Sequence, residues 1–229
     1  MNFLFDLYGT LVDIKTDEGG RVFWRKVCAM LCQPRLCWRS VRREYLSLCA
    51  ARYTSAEREF DLLGVFEDML SSRGRAREDA AELALSFRRA STEKLRLFPE
   101  VCEMLTALRE AGAGVYLLSN AQSCFTRAEL DALGLTSLFD GVIISSEVGV
   151  KKPSADIFRI AFDRFGLSPE ECIYVGNDMR DDILGATGAG IRSVYIPTEQ
   201  SGKYDDPLPE PTHRVRDHAE LAELLLSLV

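Results

Sequence analysis

The sequence lacks any uninterrupted apolar stretch near the roughly 18 residues that a membrane-spanning helix needs. Its first five residues run straight into Asp6, with neither the basic nor the apolar region of a secretory signal. These absences predict a protein that neither spans a membrane nor is exported by that route. We therefore expect it in the cytoplasm.

Histidine is scarce, with two residues, and the seven cysteines include no CxxC pair. An odd number of scattered thiols suits a reducing compartment, and two remote histidines argue against a zinc site. The sequence also contains neither a GxxxxGK[ST] phosphate loop nor a GxSxG nucleophile elbow. P-loop ATPases, serine hydrolases and zinc deaminases are therefore excluded.

The 28 basic and 35 acidic residues give a net charge of −7, which argues against nucleic acid or an acidic membrane as a partner. The charge is unevenly divided. Residues 14–98 hold 17 basic and 12 acidic residues, and the remainder holds 11 and 23. Arg35, Arg39 and Arg43 recur every four residues, a pattern that we interpret as a solvated helix face.

Short apolar runs alternate with segments of helical periodicity along most of the chain. The runs, which we interpret as buried strands, are 2–6, 114–118, 141–144, 172–175 and 193–196. Fully apolar strands separated by helices are typical of a parallel sheet covered on both faces. The sequence therefore predicts an α/β fold, a three-layer Rossmann-like sheet core.

One long segment, 14–98, interrupts this alternation. It offers no convincing strand, whereas 41–48 and 76–90 show helical patterns. We therefore predict an all-helical cap over 14–98, inserted into a core made of 1–13 and 99–229.

Polar side chains follow the predicted strands where each one ends: Asp6, Ser119 with Asn120, Ser145 with Ser146, and Asn177 with Asp178. Ligands of such sheets bind outside the carboxyl ends of the strands. Carboxylates there, with a lysine and small hydroxyl or amide groups, are what metal-assisted phosphoryl transfer requires. Acidic oxygens of this kind suit Mg²⁺.

Four segments resemble the ordered motifs of the haloacid dehalogenase-like hydrolases. Residues 6–13, DLYGTLVD, resemble motif I, and 118–120, LSN, resemble motif II. Residues 151–153, KKP, are similar to motif III, and 175–183, VGNDMRDDI, resemble motif IV. Together they frame the core from residue 1 to about 197, and the helical insert falls where the family carries its small cap.

The resemblance implies a covalent mechanism in which Asp6 attacks the substrate and forms an aspartyl intermediate that water cleaves. Thr10, Ser119 and the backbone amides near Asn120 would hold the transferred phosphate. Lys152 would neutralise the nucleophile and the phosphate, although spacing alone does not separate it from Lys151.

The resemblance also implies a Mg²⁺ site built from Asp6, the backbone carbonyl of Tyr8, Asn177, Asp178 and Asp182. Whether Asn177 or Asp178 would bind the cation directly stays open, and Asp182 would orient water or Lys152. Asp178 is equally suited to cap a helix whose first turn carries further acidic residues.

Tyr8 departs from the family pattern, in which the residue two after the nucleophile is a second aspartate that protonates the leaving group. A phenol with an ordinary pKa of about 10 is a poor acid near neutral pH. The sequence predicts a Mg²⁺-dependent phosphatase that acts on a small phosphate ester, with Asp6, Lys152 and Tyr8 as the catalytic residues. Two rivals stay open: a 2-haloacid dehalogenase, in which Tyr is common at this position, and a non-catalytic phosphate-binding protein.

Overall fold

The computed structural model describes residues 1–32, 35 and 37–229. The strands are β1 (Asn2–Phe5), β2 (Val12–Thr16), β3 (Thr92–Leu97), β4 (Gly114–Ser119), β5 (Gly141–Ile144), β6 (Cys172–Gly176), β7 (Arg192–Tyr195) and β8 (His213–Arg214). The helices are α1 (Arg21–Met30), α2 (Trp38–Arg52), α3 (Leu63–Ser71), α4 (Ala80–Ser91), α5 (Val101–Glu110), α6 (Ser123–Ala132), α7 (Ser145–Val148), α8 (Ala155–Phe165), α9 (Gly185–Gly188) and α10 (His218–Ser227).

Six strands form one parallel sheet in the order β5-β4-β1-β6-β7-β8. β1 lies in the middle, and its last residue, Phe5, is in register with Leu117 of β4 and Val175 of β6. The carboxyl ends of these three strands therefore meet at one edge. The predicted α/β fold and the five predicted strands are confirmed.

The sheet is buried on both faces because successive side chains of a strand point to opposite sides. Phe3 and Phe5 belong to an apolar cluster with α5 and α10, whereas Leu4 packs with α8 and α9 on the other face. The core therefore has three layers, as the uninterrupted apolar runs predict.

The helices α1 to α4 enclose a third apolar cluster, separate from the two clusters of the sheet. Phe87 lies at its centre, with its ring 5.9 Å or less from those of Phe23, Trp24, Tyr45 and Phe66. Such aromatic contacts can give an inserted domain a core of its own. Of the three arginines in the predicted stripe, Arg39 and Arg43 are exposed on α2, and Arg35 precedes that helix.

The expectation that 14–98 contains no strand is wrong at both ends of that segment. β2 and β3 pair antiparallel, with Val12 opposite Leu97 and Ile14 opposite Leu95. This ribbon carries the chain from the core into the helical part and back again. Apart from the buried Val12 and Asp13, the residues of this ribbon are half-buried or exposed, and its apolar side chains alternate with charged ones. The two strands therefore lack the apolar signature of the buried strands.

Among the described residues, no helix combines the length and apolar character needed to cross a bilayer. The seven cysteines, all of them described, form no disulfide.

Candidate active site

A cleft of about 180 Å³ lies at the carboxyl ends of β1, β4 and β6. The described residues that line it are Asp6, Tyr8, Asn120, Lys152, Asn177, Asp178, Asp181, Asp182 and Gln200. Residues from all four sequence motifs therefore share one cavity, at the sheet edge where parallel α/β folds bind their ligands.

Lys152 is buried between two aspartates from different motifs. Its Nζ donates to Asp6 Oδ1 at 2.8 Å and to Asp182 Oδ1 at 2.7 Å. A third bond, 2.6 Å long, runs from Nζ to the hydroxyl of Tyr174, which donates to the Leu118 carbonyl oxygen. All three donors of the ammonium therefore have partners, and Asp6 is held in a single orientation.

The charges in this cluster depend on one another. Burial by itself would lower the pKa of Lys152, but the carboxylates of Asp182 and Asp6 outweigh it and raise that pKa, so the ammonium stays charged. Burial raises the pKa of Asp182, the charge of Lys152 opposes this, and the nearby Asp6 adds to the rise. Removal of Lys152 would therefore leave two buried carboxylates without their counter-charge.

The hydroxyls of Thr10 and Ser119 each contact one of the two carboxylate oxygens of Asp6. Thr10 Oγ1 donates to Asp6 Oδ2 at 3.1 Å, and Ser119 Oγ is 3.5 Å from Oδ1. Both side chains are buried, with at most 1% of their surface exposed. Thr10 and Ser119 are the residues for which the family resemblance implies phosphate contacts.

Asn120 fixes the backbone of Lys152 instead of pointing freely into the cleft. Its Oδ1 accepts from the Lys152 backbone N at 2.8 Å, and its Nδ2 donates to the Lys152 carbonyl at 3.0 Å. Lys151 is not among the described residues that line the cleft, and its backbone N donates to the Glu57 carbonyl of the segment 14–98. Of the two adjacent lysines, Lys152 is the one whose ammonium contacts Asp6.

Asn177 and Asp178, which stay equivalent in the sequence, differ in the structure. Asn177 Oδ1 accepts from Thr10 Oγ1 at 3.2 Å and so lies on the side of Asp6. Asp178 Oδ1 accepts from the backbone N atoms of Arg180 and Asp181, which caps the π-helical turn Met179–Leu184. The expected capping role of Asp178 is thus seen.

Tyr204 holds the carboxylate of Asp178 from the loop beyond β7. Its hydroxyl is 2.8 and 2.7 Å from the two carboxylate oxygens. Burial and this negative charge raise the pKa of Tyr204, so the phenol keeps its proton and remains a donor. The carboxylate of Asp178 is thus held by Tyr204, whereas the side-chain oxygen of Asn177 lies on the side of Asp6.

The hydroxyl of Tyr8 forms hydrogen bonds in a polar cluster between the helices α4 and α6. It donates to Glu129 and lies 3.0 Å from Thr126 Oγ1, while Arg88 pairs with Glu129 at 2.6 Å. Burial raises the pKa of Tyr8, the charge of Glu129 adds to this, and Arg88 opposes it. The phenol proton is therefore held by Glu129 and is a poor source for a leaving group.

The oxygens on the Asp6 side of the cleft suit a hard cation. Thr10 Oγ1 lies 3.1 Å from Asp6 Oδ2 and 3.2 Å from Asn177 Oδ1, so the two oxygens converge on one hydroxyl. The described residues contain no cluster of three His, Cys, Asp or Glu side chains arranged for a metal. This donor set fits Mg²⁺, which often takes one carboxylate and completes its shell with neutral oxygens, water and substrate phosphate.

The sequence does not predict several of the residues found at the site. Tyr174 sits inside an apolar strand, Gln200 and Tyr204 come from the loop after β7, and Glu129 lies on α6. A tyrosine within an otherwise fully buried run was the one available signal, because a buried hydroxyl needs a partner. Glu129, Gln200 and Tyr204 carry no such signal, because only the folding of the chain brings them to the site.

Comparison with known proteins gives the family. Residues 1–190 match the haloacid dehalogenase-like hydrolases, and the chain belongs to that family. The resemblance of the four motifs is thereby confirmed.

Two relatives illustrate the matches. The chain is 38% identical over 163 residues to a phosphoserine phosphatase of Thermus thermophilus, covering 70% of this chain and 64% of that protein. It is 32% identical over 142 residues to a ribulose-1,5-bisphosphate 5-phosphatase of Halopiger xanaduensis, covering 62% and 59%. The matched part spans less than two thirds of either relative.

Among solved structures, the 2-haloacid dehalogenase from Pseudomonas syringae pv. Tomato resembles the chain with a TM-score of 0.70 at 21% identity. The match covers 99% of this chain and 98% of that one. This likeness is one of fold.

We predict that Gly9→Ala destabilises the protein more than Gly112→Ala does. Both glycines have left-handed backbones, with φ of +89° and +84°, so each alanine costs roughly 1–2 kcal/mol of strain. A Cβ at Gly9 would also lie 2.4 Å from Asn177 Nδ2, whereas a Cβ at Gly112 meets nothing within 4 Å. The clash should add about 1–3 kcal/mol to the loss of unfolding free energy, measured in urea by circular dichroism. Equal losses for the two variants would contradict this packing.

Proposed function

We propose that the protein is a Mg²⁺-dependent phosphatase that hydrolyses a small phosphate monoester through an aspartyl-phosphate on Asp6. The observation that carries the proposal is the charge of the cleft. Its described lining holds four carboxylates and one lysine, a formal charge of −3. Each added pair of like charges about 4 Å apart costs about 4 kcal/mol at an effective dielectric constant of 20. A phosphate dianion needs a cation to enter such a site.

The residues around Asp6 suit the two chemical steps. Asp6 attacks phosphorus, a bond forms between its carboxylate oxygen and phosphorus to give an acyl phosphate, and the bond from phosphorus to the leaving oxygen breaks. Water then attacks the same phosphorus, releases inorganic phosphate and restores the Asp6 carboxylate. Bound Mg²⁺ would neutralise charge between Asp6 and the phosphate, held by Asp6, the Tyr8 carbonyl and Asn177, with Asp178 and Asp182 behind them.

The other side chains orient the reactants. Lys152 holds Asp6 and offers its positive charge to the phosphate oxygens, while Thr10 and Ser119 supply hydroxyl groups beside them. Asn120 keeps the lysine in place through its backbone.

The leaving group receives no proton from Tyr8, because that hydroxyl donates to Glu129. The departing oxygen must then leave as an anion or take its proton from water. We infer that the enzyme works best on esters with acidic leaving groups, or works slowly on alkyl esters.

The two relatives support a small phosphorylated metabolite as the substrate, since each of them is named as a phosphatase of such a compound. We further propose that 14–98 acts as the cap that selects the substrate, because it contacts the core beside motif III. Glu59 N donates to the Gly149 carbonyl, and Lys151 N donates to the Glu57 carbonyl.

Dehalogenation of a 2-haloacid is the second candidate, and Tyr8 is the observation that favours it. A departing halide needs no proton, so a tyrosine whose hydroxyl is committed elsewhere costs that reaction nothing. The four carboxylates of the cleft weigh against it, because a halocarboxylate is itself an anion.

The test is a pair of assays, phosphate release and halide release, run on small panels with Mg²⁺ and with a chelator. We expect phosphate release that needs Mg²⁺ and is lost in Asp6→Asn, which removes the nucleophile. The control is Asp156→Asn, an exposed carboxylate paired with Arg159, which should retain wild-type rates. Chelator-resistant halide release would establish the dehalogenase instead.

We predict that Tyr8→Asp raises kcat/KM on alkyl phosphates about 10²-fold more than on aryl phosphates, whose leaving groups need no proton. Tyr8→Phe is the matched control, since it removes the hydroxyl without adding an acid, and it should leave the alkyl-to-aryl ratio unchanged. Steady-state kinetics on both ester series measure the ratio. A similar gain on both series would show that leaving-group protonation is not what the native site lacks.

A further inference from the structure

Tyr174 is a buried tyrosine whose hydroxyl is not explained by packing. It lies in the middle of β6, and none of its surface is exposed. Its ring meets the ring of Phe158 edge-on at 5.2 Å within an apolar cluster, a contact that a phenylalanine would make equally well. Burying a hydroxyl costs free energy unless the hydroxyl is hydrogen-bonded. The partners of this oxygen therefore indicate what it does.

The direction of the bond between Tyr174 and Lys152 follows from the chemistry of the two groups. An ammonium has three protons and no lone pair, so Lys152 Nζ can only donate to the hydroxyl, at 2.6 Å. The single proton of the phenol goes to the Leu118 carbonyl oxygen at 2.9 Å or to Asp182 Oδ1 at 3.2 Å. Either choice leaves a lone pair of the hydroxyl oxygen for Lys152.

The sheet holds this hydroxyl oxygen in place. Tyr174 belongs to β6 and Leu118 belongs to β4, and β1 lies between these two strands. The side chain of Tyr174 therefore crosses β1 near the strand end that precedes Asp6. Because the hydroxyl is carried by one strand and bonded to the backbone of another, its oxygen has little freedom to move.

Three acceptors are the smallest number that can fix the position of the ammonium nitrogen. Asp6 Oδ1 and Asp182 Oδ1 lie 2.8 and 2.7 Å from Lys152 Nζ. With these two distances alone, the nitrogen could still swing on a circle around the line that joins the two oxygens. The Tyr174 hydroxyl, at 2.6 Å from the nitrogen, is a third acceptor off that line and removes this freedom.

Asp6 is not a lasting partner of Lys152 in the proposed reaction. When Asp6 becomes an acyl phosphate, its carboxylate charge is lost, and the remaining carbonyl oxygen attracts an ammonium less strongly. Asp182 and Tyr174 are the two partners of Lys152 that this chemistry leaves unchanged. The hydroxyl also completes the set without adding a third negative charge to a buried cluster.

We propose that Tyr174 is a positioning residue for the reaction: by accepting from Lys152 Nζ, it holds the ammonium beside Asp6 and so sets the orientation of that carboxylate. Tyr174 is not among the described residues that line the cleft, so it acts through Lys152. The inference rests on the proposed function, in which Asp6 is the nucleophile.

The first measurement compares the phosphate-release kinetics of Tyr174→Phe and wild type with Mg²⁺. The variant keeps the ring and removes the acceptor. We expect kcat and kcat/KM to fall together, each about 10-fold, because the ester still binds but meets a misplaced nucleophile. Circular dichroism and urea unfolding check that the variant is folded, and its rates are referred to the folded protein.

Tyr195→Phe is the matched control. It removes the hydroxyl of a buried tyrosine on the neighbouring strand β7, for which the described part of the chain offers no hydrogen-bond partner. We expect this variant to keep the wild-type kcat and KM.

The second measurement is a crystal structure of Tyr174→Phe, which needs no turnover. We expect Lys152 Nζ to move by about 1 Å or more along the circle that its two carboxylate partners allow, and the Asp6 carboxylate to turn with it. Nζ and Asp6 in their wild-type positions overturn the proposal, whatever the rate. A variant that is less stable in urea but keeps the wild-type kcat also overturns it, since Tyr174 would then only support its strand.

Failure of the inference and failure of the proposed function give different results. If wild type hydrolyses no phosphate ester while Lys152 and Asp6 move in Tyr174→Phe, the positioning role stands and the phosphatase assignment fails. If wild type hydrolyses esters with Mg²⁺ while Tyr174→Phe keeps both its rate and its atomic positions, only the positioning role fails.

Discussion

The buried ion cluster of Lys152 with Asp6 and Asp182 is the constraint on which the rest of the site depends. A charge with 2% of its surface exposed is costly unless each of its donors has a partner. Lys152 meets that condition only because β1, β6 and the turn after β6 bring Asp6, Tyr174 and Asp182 to within 2.8 Å of one nitrogen. Parallel pairing of the strands thus determines the orientation of the proposed nucleophile.

The two oxygens of Asp6 have different surroundings. Oδ1 receives Lys152, whereas Oδ2 receives Thr10, which also contacts Asn177. One side of the carboxylate is therefore occupied by a permanent cation, and the other faces neutral oxygens that suit an exchangeable one. Tyr8 links the cleft to its surroundings, because its hydroxyl donates to Glu129 of α6, which pairs with Arg88 of α4.

Much of this could be predicted from the sequence, and the limits have physical causes. Buried strands are largely apolar and polar residues follow their ends. The sequence therefore predicts β1, β4 and β6 together with the site residues that follow them. It does not predict β2 and β3, since a half-exposed ribbon mixes apolar and charged residues. The partners of Tyr8 lie 118 and 121 residues away, and the bond from Asn177 to Thr198 spans 21 residues. Contacts of that kind leave no local periodicity.

The central claim is that a divalent cation binds between Asp6 and Asn177 and allows a phosphate dianion to approach the nucleophile. The most direct test is a crystal soaked in Mn²⁺ as a substitute for Mg²⁺, examined by anomalous scattering. We predict one strong peak, bonded to a carboxylate oxygen of Asp6 and to Asn177 Oδ1. A map with that position empty, or with the metal bound only elsewhere, would contradict the account.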